Sequence, residues 1–573
     1  MGRRTGTVLN GAVRWVAIIF SVLSVGIPVA ASESGVSDAA APVALLDARL
    51  WDGSGAPVRA ASLLIAEQRI AKIGTRAEIE AAARALDRSA RMLDLAGAMV
   101  LPGLRDQHVH IMDTGIPGVA GGAAAPGFSE YNPVQSEALR AVILGYHGAT
   151  FAQGQHPESG CSHSAVTDEM KALLLDAEEE MLRQGLTATV EAGLSDLGYL
   201  DALFELSREG ALRSRWLPRV GAGCMADAAA AGYVSGFGDE WVRVLGVKLY
   251  ADGWLGPRSA ALRDWYSDRP YDGLLFLTPD AAAAEIAQAQ ELGFHITTHA
   301  IGDRGIETVL NAYAGAGVTP AHRWQIEHAQ VTDLALMDRF AELGVVASIQ
   351  TSFATTDQRF AESALGEARL ATSYNWVTML EQGVPLVGST DFPVEVLAPL
   401  WGVQRMVTRV EFDGFPEAEG FQPGQRLPLA RTLQLITRDA AWASLEEDER
   451  GTVEVGKFAD LTVIRENLFA LPADCLASAT VLLTMVNGRI GFEGEQAYPP
   501  GAADCPSGAA PAAEPQIREV PSSGQSVRAV SPPAPRGGGV SPALLAMLIL
   551  AAALWRPRRS TGIQFEQATF YRG

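Results

Sequence analysis

Six short apolar runs fix most of what this chain can become: TATVEAG (187–193), VLGVKLYADG (244–253), GFHITTHA (293–300), RWQIEHA (323–329), GVVASIQ (344–350) and VPLVGSTD (384–391). Among them lie DEMKALLLDAEEEMLRQG, TPDAAAAEIAQAQELG and TDLALMDRFAELG, whose apolar residues recur at intervals of three and four. Runs of the first kind read as buried strands and the second as amphipathic helices. A strand followed by a helix, repeated, requires parallel strands joined by crossover helices. So many consecutive units favour a closed (β/α)8 TIM-like barrel over an open doubly wound sheet. No G-x-G-x-x-G follows a strand, which weakens the dinucleotide-binding form of the open sheet.

Two pieces of different texture flank this α/β body. Before it, ALLDARLWDG, ASLLIAEQRIAKIG and RMLDLAGAMVLPG alternate apolar and polar residues; after it, GTVEVGKFADLTVIREN and VLLTMVNGRIGFEG do the same. Strands at opposite ends of a chain pair only if the ends meet, so one small β-sandwich domain assembled from both termini is expected. The boundaries read as 43–100 and 446–495 for that composite domain and 101–445 for the barrel.

The extremities look like addresses. Arg3, Arg4 and Arg14 precede WVAIIFSVLSVGIPVA, and Val29-Ala30-Ala31 offers a cleavage site before Ser32, so residues 1–31 read as a signal peptide. A membrane anchor is the alternative, disfavoured because the apolar run is shorter than the ~20 residues a spanning helix needs. Residues 506–539 form a Pro, Ala, Ser and Gly-rich linker that is not expected to bury a core, and 540–559 an apolar helix closed by the basic cluster RPRR. Four cysteines match no zinc pattern; a Cys475–Cys505 bridge suits an oxidising compartment, whereas GCSHS around Cys161 reads as a flexible loop. A formal net charge of −21 argues against a nucleic-acid partner, since phosphate binding relies on clustered Lys and Arg.

Chemistry-bearing residues gather at strand ends. His108 and His110, in LPGLRDQHVH, stand one residue apart on an extended segment, so both can face one ion. Lys248 lies within VLGVKLYADG, His299 ends GFHITTHA, His328 ends RWQIEHA and Asp391 ends VPLVGSTD. Carboxyl ends of barrel strands are where active sites sit, and four of only nine histidines close three predicted strands there, which points to a metal site. Glu327, next to His328, is expected to face the other side of its strand. His147, His156, His163, His295 and His322 read as loop or structural histidines.

The segments LPGLRDQHVH, GVKLYADGWLGPRSAAL, THAIGDRG, IEHAQ, GSTDFPV and GKFADLTVI, spread over residues 43–492, resemble the amidohydrolase superfamily, most closely its family 3 branch, which includes N-substituted formamide deformylases. The resemblance implies one or two divalent ions, zinc fitting the ligand types best. His108 and His110 would bind one ion, His299 and His328 the other, and Asp391 would bind metal and hold the water. Lys248, carboxylated, would bridge the ions; its alternative is an ordinary lysine paired with Asp252 or with substrate, in which case Glu191 becomes the rival bridge. Arg258, Asp303 and Arg304 are the expected substrate contacts; the alternative for Arg258 is a loop-stabilising contact, and for Asp303 and Arg304 either orienting His299 or a solvent-exposed ion pair. The tail, with its glycine run, apolar segment and arginines, resembles GlyGly-CTERM sorting signals but continues for 14 residues beyond Arg559.

The implied chemistry is hydrolysis of carbon–nitrogen bonds of the non-peptide amide type, with metal-bound hydroxide attacking the carbonyl and Asp391 carrying the proton to the leaving nitrogen. The same site acting on an ester, lactone or phosphotriester stays open, as does an inactive, surface-displayed binding protein. A small-molecule substrate, no nucleic acid, export to the periplasm or cell surface, and membrane attachment through the C-terminal tail complete the expectation.

Overall fold

A computed structural model describes residues 41–112, 160–412, 414–416, 419–497, 505 and 517–520. Residues 1–31, read above as a signal peptide, His147, His156 and the tail segment 540–559 lie outside the described residues.

Eight parallel strands follow the order expected of a barrel: β6 (Leu104–Val109), β7 (Leu186–Leu194), β9 (Arg219–Gly221), β10 (Gly246–Tyr250), β11 (Ile296–Ala300), β12 (Gln325–His328), β13 (Val346–Gln350) and β14 (Leu386–Ser389), with the two-residue β8 (Arg215–Trp216) also beside β7. Every residue of β7, β10, β11, β12, β13 and β14 is buried, as continuous apolar runs covered on both sides should be. The ring is completed between its last and first members, where Asp391 N–H donates to His108 O (2.9 Å) and His110 N–H to Phe392 O (2.7 Å). The third barrel strand escaped the sequence reading because Pro218 divides it between β8 and β9, leaving neither piece long enough to show a period.

The outer helices start where their caps dictate. Thr167, Thr278 and Asp333 accept the N–H of Met170, Ala281 and Leu336 at the heads of Asp168–Arg183, Pro279–Glu291 and Leu334–Leu343, and Gly344 ends the last in a left-handed turn. Their apolar faces, including Leu174, Met181, Ile286, Met337 and Phe340, join one core with the barrel strands.

Strands from both ends of the chain do meet. β1 (Val43–Leu50) lies antiparallel to β2 (Arg59–Ala66), which pairs β3 (Arg69–Gly74). On its other edge β1 runs parallel first to β4 (Arg91–Asp94) and then to β5 (Met99–Pro102). The switch of partner falls at Asp47, a bulge with φ 53° whose N–H donates to Ser62 Oγ (3.0 Å). β5 then pairs β15 (Leu461–Ile464) antiparallel, joining the halves, and β16 (Thr480–Val486) and β17 (Arg489–Ala497) extend the sheet. Leu45, Leu63, Val100, Leu461, Val463 and Leu483 fill its core.

The linker expectation needs correcting at one place. Residues 518–520 form β18 (Arg518–Val520), antiparallel to β4, and Ile517 and Val520 pack on the β-domain cores. Arg518, Glu519 and Val520 make three ladder pairs with Asp94, Leu93 and Met92. Two disulfides join Cys475 to Cys505, as expected, and Cys161 to Cys224, which the loop reading of GCSHS missed. Their partners are 63 residues apart in sequence, a pairing no local pattern announces.

Candidate metal centre

The end of β6 carries Asp106, His108 and His110 on alternate positions, and the three serve one assembly. Asp106 accepts the N–H (3.0 Å) and hydroxyl (2.5 Å) of Thr390 and the N–H of His108 (3.2 Å), stapling β6 to the strand end that bears Asp391. Burial raises its carboxyl to about 6 against these hydrogen bonds. His108 Nε2 lies 3.1 Å from His110 Nε2 and 3.3 Å from Asp391 Oδ1, and His110 Nε2 lies 3.5 Å from the same oxygen. One donor atom from each of the three falls within 4.8 Å of the others.

Across this triad stand the other two imidazoles. Asp391 Oδ2 is 3.9 Å from His328 Nδ1, so one carboxylate faces both histidine pairs. The His299 and His328 rings are 4.4 Å apart by centroid, and His328 is 5.2 Å from His108. His299 Nε2 is 3.0 Å from Gly253 O; a carbonyl only accepts, so this nitrogen donates and Nδ1 keeps its lone pair. His328 Nδ1 likewise donates to Gln350 Oε1 (2.7 Å), whose own amide donates to Ser389 Oγ (3.1 Å). Lys248 is fully buried with Nζ 3.3 Å from His108 Nε2 and 4.5 Å above the Tyr250 ring.

Electrostatics favours ligand-ready imidazoles. Burial, reinforced for His108 by Lys248 and Arg219 and for His328 by His299, His108 and Lys248, drives both rings well below the usual histidine range, so they are neutral. Burial also drives Asp391 well above the carboxylate range, with Lys248 opposing it. Its Oδ1 is buried and accepts no hydrogen bond among the described residues. An orphaned carboxylate oxygen beside two neutral imidazoles, two further imidazoles and a buried amine is a donor set that fits a divalent cation. Asp391 (φ 62°) and His328 (φ 74°) hold left-handed backbone at these strand ends, a conformation non-glycine residues avoid unless the surroundings impose it.

The remaining predicted residues are placed as follows. Glu191 accepts the N–H of Ile111 (2.9 Å) and Met112 (3.0 Å), pinning the chain just beyond His110. Asp252, raised to about 7 by burial, accepts the N–H of Ala261, Ile301 and Gly302 and lies 3.5 Å from His299 Nε2. Arg258 is committed to Asp268 (2.9 and 2.7 Å), Ser363 (3.0 Å) and the carbonyls of Leu255 and Gly256, so its guanidinium ties a loop instead of clamping substrate. Asp303 accepts the N–H of Arg263 and Arg304, and Arg304 pairs with Asp272 (2.9 Å).

Glu327 departs from its expected orientation. The left-handed turn at His328 and Ala329 (φ 46°) breaks the strand alternation, and Glu327 Oε2 reaches to 2.8 Å from His108 Nδ1. Asp106, by contrast, was findable, since positions 106, 108 and 110 share a face of an extended segment.

A family model described as the amidohydrolase family matches residues 135–492. YtcJ of Bacillus subtilis (strain 168) is 31% identical over 248 residues, 43% of this chain and 47% of YtcJ. The N-substituted formamide deformylase of Arthrobacter pascens is 26% identical over 213 residues, 36% of this chain and 38% of that protein. The chain thus spans less than half the length of these curated relatives. An uncharacterized metal-dependent hydrolase from Pyrococcus furiosus shares the fold, with a TM-score of 0.60, 22% identity, and coverage of 74% of this chain and 99% of that one.

Proposed function

Since this chain belongs to the amidohydrolase family, we propose that it is a divalent-metal hydrolase of carbon–nitrogen bonds of the non-peptide amide type. The observation that carries the reading is the convergence of His108, His110 and Asp391, with donor atoms within 4.8 Å of one another at the carboxyl ends of the first and last barrel strands. His299 and His328 would hold a second ion, and Lys248, if carboxylated, would add an anionic oxygen ligand. A divalent ion bound by these residues would supply an activated water near neutral pH and polarise the scissile carbonyl. Asp391 would orient that water, take its proton and return it to the departing nitrogen. The likeness to a formamide deformylase supports amide over ester as the bond. Zinc suits imidazole with carboxylate.

The enzyme works outside the cytoplasm, delivered by residues 1–31 and held at the membrane by 540–559. Support comes from two disulfides among the described residues, bonds that persist in oxidising compartments.

Metal analysis of the purified protein beside a His108→Ala, His110→Ala variant tests the site. The wild type is expected to carry stoichiometric divalent metal and the variant to lose it; equal metal content in both would sink the reading. A panel of N-acyl amides, esters and lactones then identifies the bond.

A further inference from the structure

We propose that Glu327 is a positioning residue that sets the affinity of the metal centre through His108, a role resting on the metal-site reading above. Glu327 Oε2 and His108 Nδ1 are 2.8 Å apart and both side chains are wholly buried; the contact is within ion-pair distance without full hydrogen-bond alignment, and neither atom has another hydrogen-bond partner among the described residues. Each is thus the other's neighbour in a buried region, where an unpaired ring nitrogen or carboxylate oxygen is costly. A carboxylate can only accept, so the proton of the neutral ring sits on Nδ1 and the lone pair on Nε2. Nε2 is the atom that faces His110 (3.1 Å) and Asp391 (3.3 Å). Glu327 therefore selects the one tautomer of His108 that can serve as a ligand.

The carboxylate is itself held from behind. Arg219, fully buried on β9, donates Nη1 to Glu327 Oε1 (2.7 Å) and Nη2 to Gln325 Oε1 (2.9 Å). The string Gln325–Arg219–Glu327–His108 crosses from β12 and β9 to β6 beneath the ligand cluster. Its geometry requires Glu327 and His328 to serve the same side of the strand, which the left-handed backbone at His328 and Ala329 accomplishes. Carboxylate partners of this kind fix the orientation of a ligating imidazole and raise its basicity.

The test uses the full chain and zinc ions alone. Glu327→Asp keeps a carboxylate for Arg219 but withdraws it from His108; zinc Kd, measured by competition with a chromophoric chelator, is expected to weaken about 10- to 100-fold. Thermal unfolding of the metal-free variant should stay close to wild type. The paired substitution Arg219→Met with Glu327→Gln deletes both charges but leaves an acceptor of the right length, and should recover part of the affinity. Nitrogen-15 NMR of wild-type histidines reads the tautomer without any variant: zinc should move the Nε2 resonance of His108 and leave Nδ1 protonated. Wild-type affinity in Glu327→Asp, a zinc-induced shift at Nδ1, or weakened binding that merely follows a collapse of metal-free stability would each overturn the role. Failure of the wild type to bind zinc would instead remove the metal-site reading and this inference with it.

Discussion

Both ends of the barrel bury charge, and they do so in opposite ways. At the amino end, against the β domain, Glu446 receives Arg105, Arg243 (3.3 Å) and Arg450 (3.2 Å), while Asp460 receives Arg215 (2.9 Å), Arg450 (3.3 Å) and the N–H of Asn487 (2.8 Å). Burial pushes Glu446 upward, but the arginines outweigh it and bring the carboxyl down to about 2. At the carboxyl end burial wins: Asp391 goes up and His108 and His328 go down. Opposite charges in balance mark a structural joint, and a carboxylate oxygen left without a hydrogen bond among neutral imidazoles marks a place for a cation.

The sharpest break between the ends comes from removing one carboxylate at each. Asp391→Asn is expected to lower turnover of the best substrate by about 10²- to 10⁴-fold, the range for losing a general acid–base group. Metal-free stability, followed by thermal unfolding, should hold or rise, because a desolvated carboxyl is replaced by a neutral amide. Glu446→Gln should do the reverse. It leaves Arg105 without a carboxylate among the described residues, removes one acid from Arg243 and Arg450, and costs about 3–5 kcal/mol in urea unfolding, with metal stoichiometry of the folded fraction unchanged. Equal stability losses at both ends would dissolve the contrast.

The same joint predicts an acid limb. Glu446 is depressed from its ordinary 4.5 to about 2, so its share of stability is complete above about pH 4.5 and is lost as pH falls toward 2. Each unit of that shift is worth about 1.4 kcal/mol. Unfolding midpoints of wild type and Glu446→Gln, followed from pH 6 to pH 2, should converge as the carboxylate protonates; parallel curves would show that Glu446 is not the group responsible.

What the sequence disclosed divides along the same line. Strand-closing histidines and Asp391 were legible because barrel strands show themselves as apolar runs and ligands as rare residue types at their ends. The joint was not: Arg105, Arg215, Arg243, Glu446, Arg450 and Asp460 come from points up to 355 residues apart, and nothing local says that an arginine will be buried. Glu327 was misassigned because strand alternation was applied across a position whose backbone turns left-handed. The acidic partners of Arg258 and Arg304 were hidden for a related reason: Asp268 and Asp272 lie within loops whose folding the sequence does not specify.

The Cys161–Cys224 disulfide gives an intermediate effect. It closes a 63-residue separation from the chain ahead of Asp168–Arg183 to the segment following β9. Cys161→Ser with Cys224→Ser should cost about 2–4 kcal/mol, and a smaller loss by thermal unfolding would show that the chain there is already constrained without the bond.

Arg409 sharpens the comparison from a third place. It is fully buried, and burial alone brings its guanidinium down to about 9. Nη2 donates to Tyr374 O (2.8 Å), whereas Nε and Nη1 have no partner among the described residues. Unlike Arg219 it faces no carboxylate within ion-pair distance among those residues, and unlike the ligand cluster its own charge is positive, so a cation would not relieve it. If incomplete pairing is simply a cost where no ion binds, Arg409→Met should stabilise the protein by about 1–3 kcal/mol, the penalty of leaving buried polar groups unmade. Urea unfolding in chloride-free buffer measures that gain, and a loss instead would mean that the guanidinium acquires a counter-charge in solution, placing Arg409 with the paired joint.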